Sequence, residues 1–347
     1  MVEWKKLGDI SDIGTGSNNR EDACENGLYP FYVRSKEVLR INSFLYDEEA
    51  ILIPGEGGIG EIFHYINGKY GLHQRTYRVH PLSTDIEGRY LYYYLFENFG
   101  KYIEQKSYKS TAASIRKPML LDFPVAIPSL SEQSRIVSIL DTFTTSIENL
   151  KEQIAERRKQ YEYQRDQLLD LEGKEGMEMK KLGEVAKVLR GKRLTKNLLN
   201  DNADYPVFHG GIEPLGRYDQ YNREANTVMV INVGASAGTV GFCDTKFWSS
   251  DGCFCISHSK QLNNKWLYYY LVTKTHYLQS QVRHAGIPTL DNPVIEKIHV
   301  PIIPWQEQSR IVSILDTFEA SIVNLEAQLE LRQKQYEYYR NQLLTFE

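Results

Sequence analysis

The sequence is poor in cysteine and lacks any long apolar run. It has 4 cysteines in 347 residues, too few for a disulfide framework, so we expect a reducing, cytoplasmic location. No segment approaches the ~18 consecutive apolar residues of a transmembrane helix. No apolar segment follows the early lysines, Lys5 and Lys6, and we therefore expect no secretory signal. Neither charge dominates, with 41 Lys and Arg against 45 Asp and Glu. These features favour a soluble protein of two domains.

Motifs of the common enzyme classes are also missing. The glycine-rich segment Gly55–Gly60 lacks the GxxxxGK[ST] pattern of a phosphate-binding loop, so its glycines are expected in turns. No HExxH, GxSxG or kinase motif occurs, and no FxGxG segment with an [ND]PP[YF] partner suggests an amino-methyltransferase. Zinc-binding atoms occur in Cys243, Cys253, Cys255 and His258. However, Cys253 and Cys255 fit the alternation of a strand, and no CxxC pair exists. We expect a non-catalytic protein with no metal or cofactor of its own.

The chain repeats itself at an offset of 175 residues. Residues 132–143 and 307–318 both read EQSRIVSILDTF. The alignment that starts with these segments continues to Glu172 and Glu347, with 28 identities in 41 positions. Near the start of each half, KKLGD at 5–9 matches KKLGE at 180–184. Between these anchors the halves differ almost completely, so each repeat is a variable block followed by a nearly constant block.

The constant blocks have the heptad period of a coiled coil. Apolar or aromatic residues fill 9 of 11 seam positions in the first copy and 10 of 11 in the second. We expect two long helices that pair antiparallel within the chain and place the variable domains at opposite ends. Pairing between chains, in a homodimer or larger bundle, is an alternative that the periodicity leaves open. The residues expected to pair the helices or bind a partner are Ile136, Leu140, Phe143, Ile147, Leu150, Ile311, Leu315, Phe318, Ile322 and Leu325.

The repeat divides the chain into five segments. They are a variable domain at 1–130, a central helix at 131–172, a linker at 173–178, a second variable domain at 179–305 and a C-terminal helix at 306–347. Within the variable domains, apolar runs such as 50–54 and 227–232 predict strands, and aromatic-rich segments at 91–102 and 266–277 predict short helices. The expected fold class is α+β, with two repeated α/β domains separated by two long antiparallel helices.

Basic residues cluster within the variable blocks although the whole chain is acidic. Residues 173–305 carry a net charge of +4 and residues 1–130 a net charge of −2, whereas each helix carries −3. One cluster comprises Lys187, Arg190, Lys192, Arg193 and Lys196, and a second comprises Lys101, Lys106, Lys109, Arg116 and Lys117. Loops rich in Lys and Arg suit contacts with DNA phosphates, and single Arg side chains suit base edges. A solvated surface is the alternative for any one of these lysines.

The order and duplication of these segments resemble the specificity subunit of type I restriction–modification systems. The most telling residues are IPSLSEQSRIVSILDTF at 127–143 and IIPWQEQSRIVSILDTF at 302–318, supported by the KKLGD and KKLGE openings and by the segments YPF and YPV. The resemblance covers the whole chain.

The resemblance implies two target-recognition domains, each reading one half of a bipartite sequence in double-stranded DNA. The paired helices are then expected to fix the half-site spacing and to dock two methyltransferase (modification) subunits, which restriction subunits join in the full complex. S-adenosylmethionine, ATP and Mg would belong to these partner subunits. The chain itself is expected to be non-catalytic.

The DNA-binding residues are predicted from loop position and side-chain chemistry, with Arg favoured because its bidentate pairing to guanine is the commonest specific contact. In the first domain they are Arg20, Arg34, Lys36, Arg75, Lys109 and Arg116. In the second they are Arg190, Lys192, Arg193, His209, Arg217, Arg283 and His284. Ser17, Asn18 and Asn19 suit either adenine reading or a turn, and the turn is favoured.

A second hypothesis belongs to a different class. The chain could be a non-catalytic scaffold with two heads on a coiled-coil stalk, each head binding a protein or another ligand. The overall acidity and the 24 tyrosines suit protein contacts. Retention on DNA distinguishes the two hypotheses.

Overall fold

A computed structural model describes residues 2–58, 60–106, 114–171 and 178–346. Contacts divide the chain into two compact units: Met1–Lys151 with Ala327–Glu347, and Glu152–Glu326. The division falls inside both long helices, whereas the sequence pattern suggests boundaries at the helix starts. Each unit therefore comprises one variable domain, the start of one long helix and the end of the other.

The first unit contains a six-stranded sheet covered by a helix. Its elements are β1 (Glu3–Lys6), α1 (Leu7–Ile10), β2 (Ser11–Thr15), β3 (Tyr29–Tyr32), β4 (Val38–Ile41), β5 (Tyr46–Pro54), β6 (His64–Leu72), β7 (Thr76–Pro81), α2 (Gly88–Lys106), α3 (Lys117–Leu121), β8 (Pro124–Ile127) and the start of α4 (Leu130–Leu169). The strand order in the sheet is β2-β7-β5-β6-β3-β4. Only β3 and β6 pair in parallel among these described strands.

The main core of the first unit lies between this sheet and α2. Ile51, Ile53 and Val79 on the sheet pack with Tyr90 and Tyr93 on the helix, and all five are fully buried. The apolar residues at the end of β5 are buried because the aromatic face of α2 packs on them, and that face is buried by the same contact.

The second unit repeats this arrangement with shorter strands. Its elements are β9 (Glu178–Lys181), α5 (Leu182–Val185), β10 (Val188–Arg190), β11 (Tyr205–Phe208), β12 (Gly216–Tyr218), β13 (Thr227–Ile231), β14 (Val240–Cys243), β15 (Trp248–Ser249), β16 (Cys253–Ile256), α6 (Asn264–Thr273), α7 (Thr275–Ser280), α8 (Asn292–Glu296), β17 (His299–Ile302) and the start of α9 (Trp305–Leu344). The sheets have the orders β10-β16-β13-β14 and β12-β11-β15. Val228 and Val230 of β13 pack in one core with Trp266, Tyr269 and Tyr270 of α6.

The helices α4 and α9 each contain 40 residues, about 60 Å at 1.5 Å per residue. In the first unit the ring of Phe143, early in α4, stacks on Tyr339, late in α9, with 5.3 Å between centroids. In the second unit Tyr161, late in α4, lies 6.5 Å from Phe318, early in α9. Within each unit, therefore, the two helices run antiparallel.

The predicted fold class, an α+β repeat with two long antiparallel helices, is confirmed. Every one of the ten predicted seam residues is buried or half-buried, and Leu140 and Leu315 are completely inaccessible. The aromatic helix of the first unit, Gly88–Lys106, extends beyond the predicted 91–102 at both ends. The corresponding predicted helix at 266–277 is divided at Lys274, between α6 and α7.

Candidate nucleic-acid interface

Loops at one end of the first unit's sheet are joined by backbone hydrogen bonds. Gly55, after β5, donates to the carbonyl of Arg75, before β7, at 2.9 Å. Ile115, before α3, donates to the carbonyl of Gly55 at 2.8 Å, and Gln74 donates to Asn18, after β2, at 3.0 Å. The loop after β3 joins them through a hydrogen bond of 3.0 Å from His73 to the carbonyl of Tyr32. We call this surface the first loop platform; it consists of residues 16–20, 33–36, 55–58, 73–75 and 114–116.

The second unit joins the equivalent loops in the same way. Asn232, after β13, donates to the carbonyl of Gly252, before β16, at 3.2 Å. Leu290, before α8, donates to Asn232 at 2.9 Å, and Lys192, after β10, donates to Ser249 at 2.9 Å. The second loop platform consists of residues 191–194, 209–211, 232–234, 250–252 and 283–290.

A glycine at the same repeat position allows the close approach in both platforms. A Cβ added to Gly16 would lie 1.9 Å from the carbonyl oxygen of Leu72, and one added to Gly191 would lie 1.8 Å from that of Ser250. Both are backbone atoms, so no side chain can move aside. The two units thus share a close backbone approach at glycines that lie 175 residues apart in the sequence.

The first platform brings together three of the predicted DNA-binding arginines. Arg20, Arg34, Glu56 and His73 line a pocket of about 180 Å³. Arg34 Nη1 lies 3.1 Å from Glu56 Oε2, and Arg75 Nη1 lies 3.0 Å from the same oxygen. Glu56 therefore bridges two arginines that lie 41 residues apart in the sequence.

The charges on this platform are set by the neighbouring arginines. Hydrogen bonds from Arg75, and then from Arg34, lower the pKa of the Glu56 carboxyl, so Glu56 is a carboxylate at neutral pH. Burial, and then the positive charges of Arg34 and Arg75, lower the pKa of His73. A neutral His73 is consistent with its Nδ1 accepting a hydrogen bond from the backbone N–H of Arg75 at 3.0 Å.

The second platform carries different side chains. His209 Nδ1 accepts a hydrogen bond from the Gly252 N–H at 3.2 Å and lies 3.4 Å from a carboxylate oxygen of Asp251. Arg283 binds Asp291 through Nε and Nη2, each at 2.9 Å. The exposed side chains of Lys192, Arg193 and His284 lie on the same loops.

The backbone of the basic loop after β10 is held in place. Besides the Lys192 N–H bond, the indole of Trp248 donates to the Lys192 carbonyl at 2.8 Å. The Leu194 N–H bonds Ser250 Oγ at 3.4 Å. Arg190 ends β10 with an exposed side chain, and its carbonyl accepts a hydrogen bond from Arg223 at 2.8 Å. These contacts fix the positions from which Lys192 and Arg193 project.

The other predicted residues that the structure describes do not contact the Glu56 cluster. Arg217 lies on the edge strand β12, where its guanidinium donates through Nε and Nη2 to the backbone carbonyls of Ala203 and Asp204. Lys36 is exposed on the loop between β3 and β4, and Arg116 is exposed beside the buried Ile115. Lys109 lies outside the described residues.

The acidic members of the platforms were missed in the sequence. Glu56 and Asp251 lie on the platforms and Asp291 directly follows the second one, but the predicted set contains only basic and amide side chains. Asn18 and Asn19 prove to be bonded to Asp22, through Asn18 Nδ2 at 3.3 Å and the Asn19 N–H at 2.8 Å, as expected of a turn. The glycines around Glu56 were the available signal, since they mark a loop with little side-chain cover.

The cysteines and the helices bear on metal binding and on membrane insertion. Among the described residues no cluster of three or more His, Cys, Asp or Glu side chains has the geometry to hold a metal. Cys243, Cys253 and Cys255 are buried in a small apolar cluster with Phe208 and Met229. In the part of the chain that the structure describes, no helix is both long and apolar enough to cross a membrane.

Sequence comparisons point to one family. The model of the type I restriction modification DNA specificity domain matches residues 1–157 and again residues 174–332. A Haemophilus influenzae protein described as a type I restriction enzyme specificity subunit is 29% identical over 99% of this chain and 96% of its own length. The specificity subunit of the Escherichia coli type I restriction enzyme EcoDI is 37% identical over 43% of this chain and 33% of its own length.

Solved structures show the same fold. The S subunit of a type I restriction–modification system from M. genitalium matches with a TM-score of 0.76 at 18% identity, covering 100% of this chain and 97% of that one. The HsdS subunit from Thermoanaerobacter tengcongensis matches with a TM-score of 0.51 at 14% identity, covering 99% and 96%. At these identities the likeness concerns the fold alone.

Proposed function

The chain belongs to the type I restriction–modification DNA specificity family, and on this premise we propose that it selects the DNA target of such a complex, each unit reading one half of a bipartite sequence. The observation that carries the proposal is the duplicated loop platform. The backbone hydrogen bond from Gly55 to Arg75 in the first unit has its equivalent in the bond from Asn232 to Gly252 in the second. The side chains on the two platforms differ. Reading two different half-sites requires different side chains, and the shared backbone arrangement presents them in the same way in both units.

The basic side chains of both platforms supply the charge for this role. Arg20, Arg34 and Arg75 are exposed on the first, as are Lys192 and Arg193 on the second. Lys and Arg contacts with phosphates release counterions and make affinity depend strongly on salt. Such contacts orient the protein on the duplex, and the remaining platform side chains then reach base edges in the groove.

The long helices carry the second part of the proposal. We infer that α4 and α9 set the separation of the half-sites and provide the docking surface for two methyltransferase subunits. The repeat supports two equivalent docking surfaces, because residues 132–143 and 307–318 are identical. In the full complex, restriction subunits join this assembly. S-adenosylmethionine, ATP and Mg act in the partner subunits, and this chain contributes recognition rather than catalysis inside the cell.

The test is a selection of random duplexes by the full chain with its methyltransferase partner. The expected result is a motif of two short fixed segments separated by an unspecified spacer of constant length. Recovery of no two-part motif, together with retention of a partner unrelated to methyltransferases, would support the two-headed scaffold instead. The salt dependence of binding, measured on the selected duplex, is expected to be steep.

Exchange of one domain assigns the half-sites. Replacing residues 179–305 with the corresponding block of another family member is expected to change one fixed segment and leave the other intact. The first unit is unchanged in this variant and is the internal control. A change in both segments would contradict independent reading by the two units.

A further inference from the structure

We propose that Arg34, Glu56 and Arg75 together read one G·C base pair in the first half-site, an inference that rests on the proposed function. The three side chains lie on three different loops of the first loop platform and meet at the Glu56 carboxylate. Arg75 Nη1 is 3.0 Å and 3.3 Å from the two carboxylate oxygens, and Arg34 Nη1 is 3.1 Å from one of them.

The carboxylate is the informative member of this group. A negative charge among phosphate-binding arginines weakens attraction to the DNA backbone, so phosphate binding gives no reason for Glu56 to be there. An exposed ion pair also contributes little to stability, and the three side chains are 38–56% exposed. A carboxylate is useful at a base edge, where it accepts a hydrogen bond from an exocyclic amino group.

The combination of groups matches the major-groove edge of a G·C pair. Guanine presents two acceptors, N7 and O6, which suit an Arg guanidinium, and cytosine presents the N4 amino donor, which suits Glu. An A·T pair presents the thymine methyl group, which would face charged side chains. The amides that suit adenine on this platform already bond other side chains: Gln74 donates to Asn19 Oδ1 at 2.7 Å, and Asn18 donates to Asp22 at 3.3 Å.

The loop around Glu56 has little side-chain cover at Gly57. Gly57 and Gly58 have φ values of 72° and 83°, which place the chain in a turn that favours glycine. A Cβ on Gly57 would meet only the Arg34 carbonyl oxygen, at 3.8 Å. Each arginine contacts Glu56 through one nitrogen, and a guanidinium has five N–H donors. The carboxylate therefore orients both arginines while donors remain for guanine.

The experiment compares base preferences of the full chain with its methyltransferase partner, by selection from random duplexes. Wild type is expected to select a G·C pair at one position of the first half-site, the segment that stays constant when residues 179–305 are exchanged. Glu56→Gln and Arg75→Ala are expected to reduce discrimination at that position from about 5–150-fold towards none. Glu37→Gln removes an exposed carboxylate from the β3–β4 loop, which also carries Arg34, and is expected to keep the wild-type preference.

The outcomes separate this inference from the proposed function. If wild type selects a bipartite motif without a fixed G·C pair in the first segment, or if Glu56→Gln keeps the wild-type preference, the inference is wrong and the proposed function stands. Loss of the whole first segment in Glu56→Gln and Arg75→Ala would indicate a structural role for the cluster and would also overturn it. If wild type selects no bipartite motif, both fail. The second segment, read by an unchanged unit, reports that each variant chain is assembled.

Discussion

At the scale of the single residue, two arginines at equivalent strand positions show that a basic side chain in a variable domain can bond the protein's own backbone. Arg40 on β4 donates to the carbonyls of Gly27 and Leu28 at 3.0 Å and 3.1 Å. Arg217 on β12 does the same to Ala203 and Asp204. Each arginine lies opposite the proline of the YPF or YPV segment. Each holds in place the residues that directly precede the strand containing that proline, β3 or β11.

Arg217→Ala is therefore expected to lower stability rather than to remove a DNA contact. Loss of these charge-assisted hydrogen bonds should reduce the free energy of unfolding by about 1–3 kcal/mol, measured by urea titration. The base preference of the folded protein should stay the same. An unchanged unfolding curve with altered base preference would show that Arg217 reads DNA.

Arg193→Ala should have the opposite pattern. Its side chain is exposed on the basic loop after β10, so stability should change by less than about 0.5 kcal/mol. If Arg193 binds a phosphate, affinity should fall for all sequences alike, and the slope of log affinity against log salt should decrease by about 1. Binding isotherms at several salt concentrations measure this, and an unchanged slope would contradict the phosphate contact.

At the scale of the element, a buried ion pair joins α2 to the end of α9 within the first unit. The Glu97 side chain is 5% exposed, and Arg340 Nε donates to its Oε2 at 2.6 Å. Lys101 and Asn341 bond its other oxygen, at 2.5 Å and 3.2 Å. The repeat position in the second unit is Thr273, whose hydroxyl donates to the Tyr270 carbonyl, so this position forms the ion pair in the first unit and not in the second.

The ion pair predicts a pH dependence. Burial opposes ionisation of Glu97, but the bonds from Lys101 and Arg340 outweigh it and lower its pKa. Because the folded-state pKa is below the unfolded value of about 4.3, the stabilisation is complete above that value. It is lost as the pH falls through the folded pKa.

Glu97→Gln is expected to destabilise the protein by about 3 kcal/mol at pH 7 and to flatten its stability profile at acidic pH. Urea titrations at pH 7 and in the acid range measure both effects. The matched control is Glu330→Gln, which breaks an exposed pair with Lys334 on α9, and its unfolding curve at pH 7 should match wild type. Equal effects of the two substitutions would contradict the assignment.

The elements were predictable where one periodicity determines them. The heptad step of residues such as Leu140 and Leu315 specifies a buried helix face, and the apolar run of β5 specifies a buried strand. The platforms were predictable only in part. Glu56 meets Arg34 and Arg75 through strand pairing over 22 and 19 residues, and no local pattern records such a contact. The carbonyl partners of Arg217 could not be predicted for the same reason, because they depend on the strand register.

At the scale of the whole molecule, the helices allow a direct test of the spacing hypothesis. One heptad inserted after Lys151 and one after Glu326 falls at the unit boundaries and leaves each unit's internal contacts unchanged. Each insertion lengthens a helix by about 10 Å, or about three base pairs.

The expected result of the double insertion is the same two half-sites with a spacer about three base pairs longer, read by selection from random duplexes. Insertion into α4 alone is the control, and it should abolish selection because the helices no longer match in length. Altered half-sites with an unchanged spacer would contradict the spacing role of the helices.

The division of the first unit into two chain segments has a consequence for protein synthesis. Its core includes Leu344, which is 1% exposed and packs with Ile136 and Leu140. The ribosome must make the whole second unit, Glu152–Glu326, before that leucine exists. Domains usually complete folding in the order of their synthesis, but here the unit that begins first is completed last. Until then its nascent chain exposes the apolar face of α4, which makes the first unit the part of the molecule that depends most on protection from aggregation during translation.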